Sequence, residues 1–395
     1  MNIKLTYNIL VIGFIALLSA DGPTCPTPMV PIRVLLDCKP LSQDIQFMLH
    51  SKEGFLVKYA DQPTQEIFQK RITATIKNGH FTVNDKDCFD TAVCLTPISG
   101  TTLFNERRYA GTMYLYRHEN EVAVINKLPL EDYIESVLYT EGWPGWPLEV
   151  YKVLAISSRT YVIYHVRKAR QKKRFFHIKA SNYHQTYGGI HGCQTIKDAV
   201  KQTAGVFIAY HNQPILAMFD ACCGGLVPAN TRGVVNFTGM PYLARTYPCS
   251  YCQHCKIFSW KREILLSEVI ARLKDQYPRL IKIRDVETKT DRAGVAQSII
   301  FYTDRAKQRR VIVPGKTMYS AFKEIKSFAF ACSRHRNNLV IEGKGLGHHM
   351  GLCQWGARQM VEEGWDYKQV LKFYYPGTNL MKLCAKRTKA DPTIV

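Results

Sequence analysis

No internal segment of this 395-residue chain approaches the ~20 consecutive apolar residues needed to cross a bilayer. It has no internal repeat and no low-complexity tract, which excludes solenoid and fibrous architectures. Acidic residues are scarce beside basic ones, 32 Asp and Glu against 53 Lys and Arg, leaving a formal charge of +21. The glycine-dense segments lack the closing Gly-Lys-Ser/Thr of a phosphate loop, and no nucleic-acid-binding motif is present. What remains is ordinary for a folded protein: 46% hydrophobic and 22% charged residues, in a chain long enough for two or three domains.

The one long apolar run opens the chain. Ile9 to Leu18 follows Lys4 and ends at Ser19 and Ala20, the layout of a secretory signal over residues 1–20. Whether cleaved or kept as an anchor, it delivers the remainder to the periplasm or the outer face of the cytoplasmic membrane, with membrane association through the N terminus in the second case. A charge of +21 would bind any polyanion, and six of the eight residues from Arg167 to Arg174 are basic. Export argues against nucleic acid as the partner; an anionic membrane face and anionic wall polymer remain, and charge supports the wall without choosing it.

Thirteen cysteines is a high and odd count, so at least one thiol is unpaired within the monomer. Cys249, Cys252 and Cys255 form a CxxCxxC run that could hold zinc with a fourth ligand from elsewhere, form disulfides, or be buried as small residues.

The hydrophobic pattern predicts an α+β chain. Ile32–Leu36, Gly54–Tyr59, Met113–Tyr116 and Glu121–Ile125 are rich in branched and aromatic residues and bounded by turn formers, as strands are. Leu130, Tyr133, Ile134 and Val137 then switch to helical spacing. Gly142 and Pro144 should stop that helix, and Pro147 should open a second one through Tyr164. A helix at 196–203 and strands near 206–210 and 215–219 follow. Residues 261–338 read as a second lobe with a helix, two or three strands and another helix. A glycine-rich turn then leads to helices from about Gln354 to Glu363 and from Tyr367. The expected divisions are the signal at 1–20, an N-terminal β-rich region at 21–120 and a catalytic core at 121–260. The second lobe at 261–340, closing elements at 341–382 and a basic tail at 383–395 complete them.

Glu141 is placed oddly. It ends the first helix in Tyr139-Thr-Glu-Gly-Trp-Pro144, where a carboxyl faces the negative end of the helix dipole and Trp143 and Trp146 could exclude water. Both features suit an acid that holds a proton until it is needed. Glu131 and Asp132 instead begin the helix, where acidic groups complement the dipole, and Glu135 lies on the same face as Glu131 as an alternative second carboxylate. Histidines cluster at His177 and His184, and at His348 and His349 within a glycine-dense turn that could bring backbone close to a ligand.

Taken together, four blocks resemble the stage II sporulation protein D family of lytic transglycosylases, in the family's order and from about residue 108 to 378. Asn126-Lys-Leu-Pro-Leu-Glu-Asp-Tyr133 with Glu141-Gly-Trp-Pro144 is similar to the helix that leads to the family's catalytic glutamate. Lys152-Val-Leu-Ala-Ile-Ser-Ser-Arg-Thr-Tyr161 resembles the following helix, and His184-Gln-Thr-Tyr-Gly188 a short polar block lining the site. Gly345-Leu-Gly-His-His-Met-Gly-Leu-Cys-Gln-Trp-Gly-Ala357, with Phe373-Tyr-Tyr-Pro-Gly-Thr378, resembles the closing block.

The resemblance implies cleavage of the bond between N-acetylmuramic acid and N-acetylglucosamine in peptidoglycan strands. One glutamate protonates the leaving oxygen, and the sugar's own 6-hydroxyl closes on the anomeric carbon. Glu141 takes the acid's position. His184, Gln185, Tyr187, His348, Gln354 and Trp355 would shape the glycan groove, with Arg159 and Tyr161 as supports. Related domains resemble amidase enhancers, so an amidase or another wall-remodelling protein is a conceivable partner. The implied chemistry requires no cofactor. Some family members hold zinc through a histidine and two cysteines before the Gln-x-Tyr sequence. Here Lys179 and His184 fall where those cysteines would lie, so zinc of that kind is not expected. Gly142 replaces the usual methionine after the glutamate, and His349 and Cys353 replace a glycine and a serine.

Overall fold

The computed structural model describes residues 30–59, 65–67, 69–88, 92–181, 183–232, 237–304 and 306–383. The expected signal at 1–20 and all but the first residue of the basic tail lie outside the described residues. The class is α+β, as expected: among the described residues seven α-helices accompany strands in several sheets. None of those helices is long and apolar enough to cross a membrane.

Two sheets make up the N-terminal part. The first has seven strands, in the order Ile178–Lys179, Pro31–Pro40, Glu121–Pro129, Thr112–His118, Ala92–Pro97, Phe55–Lys58 and Gln65–Ile67. The second has six, centred on Ile45–Ser51 and Arg71–Lys77. Their inner faces alternate as half-buried strands should: Phe47 and Leu49 point inward from one strand, and Ile72, Ala74 and Ile76 from its neighbour. In Glu121–Pro129 the run Val122 to Ile125 is buried without interruption, because Phe175 and Phe176 pack over the face that carries Ala123 and Ile125.

Helix α1 (Leu130–Glu141) follows that strand directly, and its first backbone amide, at Leu130, donates to Val30 O at 2.9 Å. Leu130, Tyr133, Ile134, Val137 and Leu138 form its buried stripe against α2 (Leu148–Gln171). Helix α3 (Gln194–Gln202) packs on both. Arg159 on α2 is fully buried. Its guanidinium grips the Glu131 carboxylate, with Nε to Oε1 and Oε2 at 3.0 and 3.1 Å and Nη2 to Oε2 at 2.6 Å, and Nη1 donates to Val206 O at 3.1 Å. Glu131 Oε1 also accepts the Gly205 amide at 3.1 Å, so one ion pair ties α1, α2 and the strand Val206–Tyr210 together.

The stretch from Ser259 to Lys344 builds its own core around Phe301, Phe322, Ile299 and Ile341. It contains α4 (Leu266–Leu273), α5 (Gly315–Ala321) and two three-stranded sheets. Its outermost strands, Ser259–Leu265 and Asn338–Lys344, pair antiparallel along their full length and return the chain to the main body. There α6 (Gln354–Glu362) and α7 (Tyr367–Tyr374) pack on α2. Asp366 and Gln369 form a reciprocal capping box that starts α7. One expectation fails: residues 215–219 are not a strand. Pairing there is confined to Gln213–Pro214 and Phe219–Asp220, because the segment between crosses to meet the closing turn.

Candidate functional site

Glu141 is the last residue of α1, and the helix ends there for two reasons. The Gly142 amide still closes on Leu138 O at 2.9 Å, but its backbone turns extended, and Pro144 follows two residues later. Gly142 also has no room for a side chain: a Cβ would lie 2.5 Å from Leu138 O and 3.2 Å from the Tyr151 ring. Glycine where a methionine is usual therefore goes with a tight turn that brings Tyr151 against it, and the Tyr151 hydroxyl donates to Trp143 O at 2.7 Å.

The half-buried Glu141 is held from two sides. Its Oε1 accepts the Thr186 amide at 2.6 Å, while Thr140 Oγ1 donates to Thr186 O at 2.5 Å, a two-point latch between the helix end and the polar block. From the closing block, Gln354 Nε2 donates to the Glu141 carbonyl at 3.0 Å. Trp355, the next residue, packs edge-on against Trp143 and Trp146, both at 5.5 Å, and those two rings stack at 6.3 Å. Trp146 is buried, whereas Trp143 is 40% exposed beside the acid. Three segments more than forty residues apart in sequence thus converge on Glu141, the polar block at its carboxylate and the closing block at its backbone carbonyl.

Around it lie phenols and imidazoles. The Tyr133 hydroxyl donates to Gln185 Oε1 at 3.3 Å. Burial keeps the Tyr133 phenol well above its usual range and pushes Tyr161 up to about 12, with the Glu141 charge contributing to both. Each therefore keeps a proton to donate. Tyr161 stacks on His165 at 4.3 Å, and His165 meets His184 edge-on at 4.7 Å. Burial and nearby cations lower both histidines to about 4, so both are neutral at pH 7. Two buried donors, Gln185 Nε2 and Trp355 Nε1, have no hydrogen-bond partner among the described residues.

The other expected residues sit differently. Tyr187 is buried, donates its hydroxyl to Asn126 Oδ1 at 2.7 Å and stacks on Tyr133 at 5.1 Å, so it packs behind the polar block. Arg159 is spent on Glu131 in the core. His348 Nδ1 accepts the Met350 amide at 3.1 Å and lies 3.9 Å from Asp220 Oδ2. Beside it, His349 holds a left-handed φ of 67°, fixed by its amide on Asp220 Oδ2 at 2.6 Å and its ring between Cys223 O and the Ala329 amide. Glu135 is six residues back on α1 and lines a separate cavity of about 190 Å³ with Asp132, His191 and Lys197. A larger cavity of about 810 Å³ lies by Gly224–Val227 and the paired strands of the second lobe, away from Glu141.

Sequence reasoning did not single out Thr140, Thr186 or His165, because a backbone amide and a hydroxyl latch leave no motif. The cysteine run is split by the fold. Cys249 and Cys252 gather with Cys223 and Cys353, all four sulfurs within 4.8 Å of one another and buried, whereas Cys255 faces Cys222 at 3.4 Å. His177, before the polar block, has both ring nitrogens against Arg33, at 3.1 and 3.2 Å.

Residues 118–210, which carry α1, α2 and the polar block, match the family model described as Stage II sporulation protein. An uncharacterised protein of Brachyspira hyodysenteriae is 29% identical over 346 residues, covering 87% of this chain and 90% of that protein. The amidase enhancer of Bacillus subtilis is 25% identical over 292 residues, which span 62% of this chain and 40% of the enhancer. Stage II sporulation protein D of the same organism is 22% identical over 294 residues, 67% of this chain and 78% of that protein.

Proposed function

The resemblance to the stage II sporulation protein D family, read first from four sequence blocks, is supported by the family match and by these relatives, and from it we propose that this chain is an exported peptidoglycan lytic transglycosylase with Glu141 as its acid. Kinship with sporulation proteins and an amidase enhancer supports a cell-wall-related role. The observation that carries the finer reading is the convergence of three segments on Glu141, its carboxyl on the Thr186 amide and its backbone carbonyl on Gln354, with Trp143 exposed beside it.

In this mechanism the glycan lies along Trp143, whose ring offers a sugar face a flat apolar platform. Protonated Glu141 gives its proton to the glycosidic oxygen as the bond to the anomeric carbon breaks. The muramic 6-hydroxyl then attacks that carbon and returns its proton to the Glu141 carboxylate, which closes the cycle. One carboxyl serves as acid and then base, so the second carboxylate of ordinary glycosidases is not needed. The Thr186 amide holds the carboxyl, and Gln354 the backbone behind it, through both steps.

Amidase enhancement is the second reading, favoured by the likeness to the Bacillus enhancer. Purified strands with and without stem peptides, incubated with the full chain, separate the two. Strand shortening with 1,6-anhydromuramic ends, read by mass spectrometry, is expected. Tight glycan binding without new ends, together with faster stem-peptide release by an added amidase, would replace the first reading with the second.

A further inference from the structure

Cys223, Cys249, Cys252 and Cys353 have no part in that chemistry, and we propose that they form a structural zinc site that clamps the closing block onto the main body. The four sulfurs come from three segments. Cys223 follows the short strand Phe219–Asp220, Cys249 and Cys252 lie in the loop before Ser259, and Cys353 caps the N terminus of α6. Four thiolates about 2.3 Å from a tetrahedral zinc stand about 3.8 Å apart. Cys223 and Cys252 lie at 3.8 Å, and no pair among the four exceeds 4.8 Å. Two disulfides would draw the sulfurs into two bonded pairs, whereas here they are grouped as one cluster. Cys249-x-x-Cys252 also has the spacing of a zinc knuckle.

The surroundings suit thiolates. Cys353 Sγ accepts amides from Cys223 at 3.3 Å and Gly356 at 3.4 Å, and Cys249 Sγ meets the Tyr374 hydroxyl at 3.1 Å. Donors of this kind orient metal-bound sulfur and stabilise its charge. Gly356 leaves the space open, since a Cβ there would run into the Tyr374 hydroxyl and stand 2.8 Å from Cys249 Sγ.

The charge is complementary as well. When zinc binds, the four thiols release their protons and the centre carries two negative charges. Fully buried Arg245 donates to Leu226 O at 3.3 Å and to Tyr247 O, and the buried Asp220 carboxyl is its electrostatic partner. Its guanidinium packs 5.8 Å over the ring of Tyr374, the residue that bonds Cys249. The guanidinium is thus a cation one ring removed from the dianionic centre.

The consequence reaches the candidate acid. Cys353 immediately precedes Gln354 and Trp355, the residues that hold the Glu141 carbonyl and close the tryptophan cluster. The site itself does not depend on the cleavage proposed above. Cys255, against Cys222 at 3.4 Å, is not one of the four, and Cys222 borders the group at Cys252 and Cys353.

The test uses the full chain purified with zinc present, its metal measured by mass spectrometry and its thiols counted. One zinc per chain is expected, falling to a trace in Cys252→Ser and unchanged in Cys255→Ser. Cobalt in place of zinc should give the intense thiolate-to-metal absorption of a tetrahedral sulfur site, a readout that needs no variant to fold. A folded, zinc-free chain whose four cysteines are joined as two disulfides would overturn the proposal. So would zinc that persists in both Cys252→Ser and Cys223→Ser.

Discussion

Replacing Glu141 by Gln should lower the rate of glycan-strand cleavage by about a hundred- to ten-thousand-fold, the range that a positioned general acid supplies. That loss corresponds to about 3–5 kcal/mol of transition-state stabilisation. Gln keeps the length and shape of the side chain, and its amide oxygen can still accept the Thr186 N–H. The backbone carbonyl that takes Gln354 Nε2 is untouched. Fold and glycan binding should therefore survive, and only the proton is missing. Melting temperature and strand-binding affinity, measured alongside cleavage, check that separation. Glu135→Gln is the matched control: its carboxyl lines another cavity, and cleavage should stay within a few-fold of the parent. Equal losses in both variants would mean that the chemistry uses two carboxylates.

The largest effect on stability should come from Glu131→Leu. Arg159 is fully buried, and Glu131 is its only carboxylate among the described residues. Removing the acid leaves a guanidinium satisfied mainly by Val206 O. Breaking a buried pair from one side costs about 3–5 kcal/mol, and the low end applies because the Glu131 side chain is 26% exposed. About 3 kcal/mol corresponds to a fall in melting temperature of about 6–12 °C for a domain above 150 residues. The double variant Glu131→Leu with Arg159→Met should recover much of that loss, since it removes the stranded charge along with its partner. Thermal melts of the two variants and the parent decide the matter. A single variant as stable as the parent would show that the pair does not hold α1 and α2 together.

The legible part of this molecule is the part where local pattern decides structure. Leu130, Tyr133, Ile134 and Val137 repeat at helical spacing, and the helix ends at Glu141 as Gly142 and Pro144 require. The start of α2 after Pro147 and the strand Val206–Tyr210 are equally local. The N-terminal sheets were only half visible. Strands such as Arg71–Lys77 and His80–Val83 are short, and they carry threonine, lysine and histidine on their outer faces. Residues 215–219 read as a strand by composition, yet their backbone goes to the closing turn instead, and that contact is set by residues more than 120 positions away.

The site divides in the same way. The position of Glu141 was legible, because a carboxyl between a helix end and two tryptophans breaks the usual placement of acids. Of its holders, Gln354 was named from the closing block, whereas Thr186 was not, since it acts through a backbone amide. The cysteines show the limit most clearly. Spacing grouped Cys255 with Cys249 and Cys252, whereas the fold exchanges it for Cys223 and Cys353. No local pattern links those two to the run.

The most direct test of the central claim is to cleave glycan strands in water enriched in heavy oxygen and weigh the new muramic ends. Intramolecular attack by the 6-hydroxyl takes no atom from the solvent, so the account predicts anhydro ends without label. A labelled, reducing muramic end would show that water is the nucleophile, and would contradict a mechanism in which Glu141 works alone.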